Sequence, residues 1–496
     1  MRPRAIYGRC ATILCVAMLA VAGAAADDSA AVGEWPRWRG PNSSGASIGG
    51  PTLAAKWPAE GPPKQWETFL AGATGDCYGS PAAADGKVFM SLMAWQFLPT
   101  KESLATLPDL GVPPAAVEEI TTKGLYAGSE EQWLRQYKIP LDKKAAILAA
   151  LGKTRSIDRV AGLDAITGKV LWKMDYLLDA PGRARGTAST PCFWKGRVYG
   201  SQTKRAVYCI DATTGNEVWI NKDCGGGFSS VVVEDGVVVA TGSGVLTAMD
   251  AQTGKQLWTG GDVATDYSPA IWHHDGKTYV ISSRGNGPQF LRCNEITSGK
   301  PLWTCPAIAH TAAIEGDYMA ALDYNAKSAV PNRWMHGCLA IYRLSSNKPE
   351  KVGEVDLADA ASCPIICHGY VYYTACGRAV CVEAKTGTVK WNEPIECGGT
   401  GVGIRGRLWS SPLIADGKLF AVLDWAKNGG PDGGGTEPIG LFDANPEKFA
   451  ALGVFNARLL GCTSPAVAGT KLFVHTTTGI ACFDLAPDAK TVDPAK

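Results

Sequence analysis

Five times along this chain an acidic residue, a Thr-Gly or Ser-Gly pair and a tryptophan recur in one fixed register. Ala161-Gly-Leu-Asp-Ala-Ile-Thr-Gly-Lys-Val-Leu-Trp172 sets the pattern. Tyr208 to Trp219, Thr247 to Trp258, Arg292 to Trp303 and Val380 to Trp391 repeat it. The register dictates a strand, a tight hairpin and a second strand. Glycine supplies the positive φ that the turn demands, and the acidic side chain can bond the turn backbone. The tryptophan, with roughly 150–250 Å² to bury, can wedge against the neighbouring unit. Units of roughly 44 residues with four short strands each are the mark of propeller blades. Trp391 stands two intervals beyond Trp303, so a degenerate copy is expected between them, and Leu339-Ala-Ile-Tyr-Arg-Leu-Ser-Ser-Asn347 fits it.

A second signature precedes each copy: an apolar strand, an Asp/Gly turn and another strand. Examples begin at Ser80-Pro-Ala, Ser268-Pro-Ala, Ser411-Pro-Leu and Ser464-Pro-Ala. Such starts fall near residues 79, 189, 229, 268, 311, 362, 411 and 464. The last unit reaches Gly479-Ile-Ala-Cys-Phe-Asp484 with no tryptophan-bearing strand after it, whereas Lys64-Gln-Trp-Glu-Thr-Phe-Leu70 carries an unassigned Trp66. An N-terminal strand completing the C-terminal blade would leave no open sheet edge there. The fold expected is therefore all-β: an eight-bladed β-propeller spanning 64–486, after an extension at 27–63 and before a tail at 487–496. Residues 98–157 interrupt the first blade and read as helical. Ser129 with Gln132 resembles a capping box, and Asp142 is placed to open a segment ending at Gly152. Loops at 325–337 and 426–440 are further insertions.

Residues 1–26 read as a secretory signal. Arg2, Arg4 and Arg9 precede an apolar stretch from Ala11 to Ala22, and Ala24-Ala25-Ala26 offers small residues for cleavage. Export to the periplasm or the extracellular space is expected, with no integral membrane span. With 48 basic and 47 acidic residues overall and no Lys/Arg run, the chain carries no electrostatic footprint for nucleic acid.

The Ala161–Trp172 pattern and its four further copies resemble the tryptophan-docking motif of the pyrroloquinoline-quinone (PQQ) repeat superfamily. Trp35-Pro-Arg-Trp-Arg-Gly-Pro41 resembles the start of exported bacterial PQQ-binding-like β-propeller repeat proteins. The resemblance covers essentially the whole chain after the signal and implies the propeller fold without choosing an activity. The superfamily includes PQQ-dependent dehydrogenases and the non-catalytic propeller of outer-membrane protein assembly. PQQ with calcium is the cofactor pair of the first. Here no Cys-Cys dipeptide and no matching motif for the catalytic base or calcium ligands appears, so catalytic residues stay unassigned.

Of 16 cysteines, Cys209, Cys293, Cys381 and Cys482 share one column of the repeat with Gly162 and Ala248, which marks that position as small and packed. Cys77 and Cys462 fall just before inner-strand starts in the first and last blades and are disulfide candidates. No Cys/His spacing fits a zinc site, so no metal is expected, and His273-His274-Asp275 reads as a hairpin turn. The segments entering the inner strands contribute Asp76, Arg185, Asp266, His310 and Arg405 to the channel mouth. These converge on a polar ligand, or they are solvated loop residues and inter-blade ion pairs. His310 is the one expected to titrate near neutrality.

Strong repeat integrity without a catalytic motif points to a monomeric, non-catalytic exported propeller that binds a protein, a polymer or a small molecule. The alternatives are a quinoprotein alcohol or sugar dehydrogenase with divergent cofactor contacts, and a component of an outer-membrane assembly complex.

Overall fold

Strands rich in small apolar residues build a series of antiparallel sheets in this protein, whose computed structural model describes residues 33–47, 49–70, 78–181, 187–203, 206–224, 228–284, 290–323, 337–357, 362–375, 377–395, 402–403, 410–425 and 436–490. The first sheet comprises Ala82–Ala84, Lys87–Phe97, Thr154–Asp164 and Val170–Pro181 in that order. Five more four-stranded sheets follow, starting at Cys192–Trp194, Val232–Glu234, Ala270–His274, Ile308–Glu315 and Ile365–Cys367. The last sheet has eight strands. Its two halves begin at Leu413–Ala415 and Ala466–Ala468 and are joined through one pair, Leu459 with Thr476. Its far edge is Lys64–Phe69, antiparallel to Gly479–Asp484 with Trp66 opposite Cys482.

First strands are buried and fourth strands are half open: Ala82–Ala84 is wholly buried, while Glu217–Asn221 faces solvent along much of its length. Most turns between the first two strands have positive φ at both central residues, as at Asp85 (52°) and Gly86 (67°), while at Gly316-Asp317 and Gly469-Thr470 only the glycine does. That geometry matches the right-handed twist of the flanking strands. At the third-to-fourth turn, Asp211 Oδ1 accepts from Thr213 N (3.1 Å), Thr214 N (2.8 Å) and Thr214 Oγ1 (2.9 Å). Asp164 and Asp250 do the same one sheet earlier and one later.

The tryptophans tie each sheet to the next. Nε1 of Trp66, Trp172, Trp219 and Trp258 donates to the carbonyls of Ala165, Ala212, Ala251 and Ile296 respectively. Each ring lies on the turn glycine of the neighbouring sheet; a Cβ on Gly215 would sit 2.5 Å from Trp172. Two departures follow from the degenerate copies. In the fifth sheet Gly353 takes the tryptophan place opposite Ile341, and its backbone packs directly on Gly387 of the sixth. In the seventh unit Gly453 stands opposite Leu441, and Trp57 from the N-terminal extension fills the vacated space against Phe420 and Phe455.

The cysteine column lies under the tryptophans: Cys209, Cys293, Cys381 and Cys482 pair with Trp219, Trp303, Trp391 and Trp66. All four are buried free thiols. The insertion folds as α1 (Lys101–Thr106), α2 (Pro114–Lys123), α3 (Glu130–Gln136) and α4 (Lys144–Leu151) around its own core of Leu107, Ile120, Trp133, Leu134, Ile147 and Leu151. The caps differ from the sequence expectation. Thr100 caps α1 by accepting from Ser103 N at 3.1 Å. Ser129 instead donates its hydroxyl to the Tyr126 carbonyl, and Asp142 sits in a 3₁₀ turn with no capping bond from that turn or from α4. The segment read as a signal lies outside the described residues.

Candidate functional site

The hydroxyl that opens each inner strand has a specific task. Ser80 N donates to Thr190 Oγ1, Thr190 N to Ser230 Oγ, and Ser230 N to Ser268 Oγ, at 2.9–3.1 Å. Ser268 N then donates to the His310 carbonyl at 2.7 Å. Further round, Cys363 N reaches Ser411 Oγ, Ser411 N reaches Ser464 Oγ, and Ser464 N returns to Ser80 Oγ at 2.9 Å. These bonds tie the inner strands to one another around an axis at every junction but that between the fifth and sixth, and the last unit bonds back onto the first.

That axis is filled by the chain itself. Trp35 makes a two-way backbone bridge with Ala83 of the first sheet, and the Pro36 carbonyl accepts from Phe193 N of the second. Arg37 donates to the Val233 carbonyl and to Glu234 Oε2 (2.9 Å) of the third. Trp38 Nε1 donates to Thr311 Oγ1 of the fifth at 2.9 Å. The Arg39 guanidinium bonds the carbonyls of Pro364 and Pro412, at the entries to the sixth and seventh units. Ser44 and Gly45 then accept from Ile366 N and Ile414 N. The central channel therefore contains residues 33–47, with Arg37 6% and Arg39 2% exposed.

A cavity of about 280 Å³ opens onto this plug. Trp38, Tyr78 and Phe228 supply its aromatic surface, and Asp266, His310 and Cys462 line it with Ser230 and Ser268 of the hydroxyl series. Of the residues expected at the channel mouth, the structure brings Asp266 and His310 together here. Asp76, Arg185 and Arg405 lie outside the described residues, as does Cys77.

The expectation that His310 titrates near neutrality is overturned. Burial lowers its pKa to about 4, partly offset by a bond to the Asp266 backbone, and its ring lies 4.1 Å from that of Tyr267. The imidazole is neutral at physiological pH. Burial likewise pushes the Cys462 thiol up to about 11, so it is not a thiolate nucleophile. His273 and His274 end the strand Ala270–His274, and of the three residues read as a hairpin turn only Asp275 enters it, with Gly276; His274 Nδ1 lies 2.8 Å from Asp317 Oδ1. Among the described residues no cluster of three or more His, Cys, Asp or Glu could hold a metal ion. Asp266 is the one charged side chain among the described lining residues. Among the described lining residues there is thus no cationic partner for an anionic quinone and a single carboxylate for calcium.

Sequence reasoning missed Trp38, Tyr78 and Phe228. The signal for Trp38 was present in Trp35-Pro-Arg-Trp-Arg-Gly-Pro41, used only as a likeness. Tyr78 and Phe228 stand immediately before inner-strand starts, where the sequence reading singles out charged side chains and an imidazole rather than aromatic rings.

A family profile described as outer membrane protein assembly factor BamB matches residues 157–286. Quinoprotein alcohol dehydrogenase PedE of Pseudomonas putida is 29% identical over 121 residues, 23% of this chain and 19% of that protein. Outer membrane protein assembly factor BamB of Yersinia pestis is 26% identical over 244 residues, 48% of this chain and 52% of that protein. The match spans about half the length of the second relative and far less of the first. Quinohemoprotein alcohol dehydrogenase from Comamonas testosteroni superposes with a TM-score of 0.55 over 94% of this chain and 82% of that one, at 12% identity. At that identity the likeness is one of fold. The sheets, the docked tryptophans and these relatives define a β-propeller. Over residues 157–286 its repeat matches the assembly-factor profile, and the chain is similar in sequence to both the quinoprotein dehydrogenases and the assembly factor.

Proposed function

We propose that this is an exported, non-catalytic binding propeller whose ligand enters the mouth pocket over Trp38. The observation that carries this reading is the filled channel: residues 33–47 occupy the axis and leave a shallow, aromatic pocket above them. Three aromatic faces with one carboxylate and a neutral imidazole favour a cationic or neutral ligand over an anionic one.

The architecture behind the reading is a ring of eight blades over 64–486, in which the eight-stranded sheet counts as two. Residues 1–26 are a leader removed on export, 27–63 an extension that supplies the plug and Trp57, and 487–496 a tail. No helix among the described residues is long and apolar enough to cross a membrane, and the monomer is the working unit.

The test is a titration of the purified protein with PQQ and calcium, followed by absorbance, thermal stability and dye-coupled oxidation of alcohols and sugars. No spectral change, no stabilisation and no turnover are expected. Turnover would establish the quinoprotein reading instead. A parallel panel of alkylammonium ions and neutral sugars should raise the melting temperature of the native chain but not of Trp38→Ala. The assembly-complex alternative rests on the profile match over 157–286. Crosslinking in native envelopes that recovers a β-barrel assembly component would favour it.

A further inference from the structure

We infer that the propeller's channel is a peptide-recognition site for an arginine-flanked tryptophan, and that residues 33–47 occupy it in cis as a ligand. The inference goes beyond the mouth pocket and does not depend on what that pocket binds.

The plug behaves as a bound peptide, since it joins no sheet as a strand and touches nearly all of them by single backbone bridges and side-chain bonds. Its specificity is readable residue by residue. Arg37 is paired with Glu234 at 2.9 Å, with both side chains at most 7% exposed. A buried carboxylate at that place demands a cation, and removing either partner strands a charge in a low-dielectric interior. Arg39 has φ 68°, a left-handed conformation, because the chain turns there: Gly40 N donates back to the Arg37 carbonyl. The turn aims one guanidinium at carbonyls of two different units, Pro364 and Pro412. A planar fork with several donors can satisfy both, whereas a lysine ammonium lacks the reach and the shape.

The remaining positions are steric. A Cβ on Gly45 would lie 2.2 Å from Arg39 Nη2, and one on Gly40 would lie 2.9 Å from the Trp35 ring. Trp38 donates its indole N–H to Thr311 and lines the mouth pocket. Arg37, Trp38 and Arg39 are therefore the side chains that this channel selects, while Gly40 and Gly45 let the segment fold back on its own Trp35 and Arg39. The tether is also visible. Gly49, Gly50, Pro51 and Thr52 are exposed, and the chain is anchored again at Leu53, whose N–H donates to Asp416 Oδ2 at 2.8 Å.

The experiment inserts a protease recognition sequence between Gly49 and Gly50 of the full chain. After cleavage, the N-terminal fragment is expected to co-elute with the propeller on gel filtration. A fluorescent peptide of residues 33–47 should then exchange into the channel, and its Arg39→Lys form should bind at least about tenfold more weakly. Loss of the fragment on the first column with the propeller still folded would overturn the inference, as would equal binding of the two peptides. Should cleavage unfold the ring, hydrogen exchange on the uncleaved Glu234→Gln protein decides. Amides of 33–47 should exchange about tenfold faster while those of Val237–Ala240 keep their protection. A uniform change across both would show that the segment is ordinary core.

Discussion

Replacing Trp172 and Trp303 by phenylalanine separates packing from hydrogen bonding in the docking motif. The two rings are buried alike, 8% and 6% exposed, so truncating indole to benzene removes similar apolar contact from each. They differ in the N–H. Trp172 Nε1 donates to the Ala212 carbonyl at 3.0 Å, whereas Trp303 Nε1 has no described partner. The next unit explains this: after Arg343 the fifth sheet runs Leu344-Ser345-Ser346-Asn347 in place of a Thr-Gly turn. Trp172→Phe strands a buried carbonyl, worth about 1–3 kcal/mol, while Trp303→Phe removes a donor that was already unpaired. The expected difference between the variants is therefore about 1–3 kcal/mol, with Trp172→Phe the less stable. Urea unfolding followed by tryptophan fluorescence and far-UV dichroism at equal m-value measures it. Equal losses, or a larger loss for Trp303→Phe, would refute the claim that the indole bond docks one blade on the next.

Trp57→Ala should cost about 3–5 kcal/mol, and hydrogen exchange should place the loss at Thr436–Asp443 and Ala451–Leu460, because Trp57 fills the place that Gly453 leaves empty. Asp211→Ala removes the acceptor of three turn bonds and should lower stability by about 1 kcal/mol in the same urea assay. Stability should fall as pH drops from about 6.5 towards 4, because burial lowers the pKa of His475 to about 4, so the unfolded chain binds the proton first. His475 is fully buried with Nδ1 2.8 Å from the Gly79 carbonyl. His475→Asn, which can keep that donor, should flatten the pH profile by up to about 3 kcal/mol at pH 4; an unchanged profile would show that another group carries the acid sensitivity.

The repeat was legible because its signals are local. A turn that needs positive φ writes Thr-Gly at a fixed distance from the tryptophan, and the small column under the ring writes Gly, Ala or Cys two residues before the acid. Trp66 could be assigned to the last sheet because a missing strand and a spare one have matching patterns. The plug left no such trace. Its partners are carbonyls and single side chains from units hundreds of residues apart, and Arg37 and Arg39 read as surface charges until the ring is assembled around them. The serines and threonines at the inner-strand starts were visible as a motif, but their task depends on the neighbouring unit. The helix caps failed for a local reason: Ser129 found the Tyr126 carbonyl before any helix amide. His310 looked titratable from its residue type alone, and only burial against Tyr267 made it neutral.

The filled channel is tested most directly by covalent capture. Ala46 and Ile414 face each other across a parallel backbone bridge, a separation that a disulfide can span. In the double variant Ala46→Cys/Ile414→Cys, mild oxidation should join the two positions within the monomer, seen as one crosslinked peptide absent from either single variant. Efficient oxidation that leaves residue 46 unlinked to 414, or links it only to a second molecule, would contradict a channel occupied by the chain's own N-terminal segment.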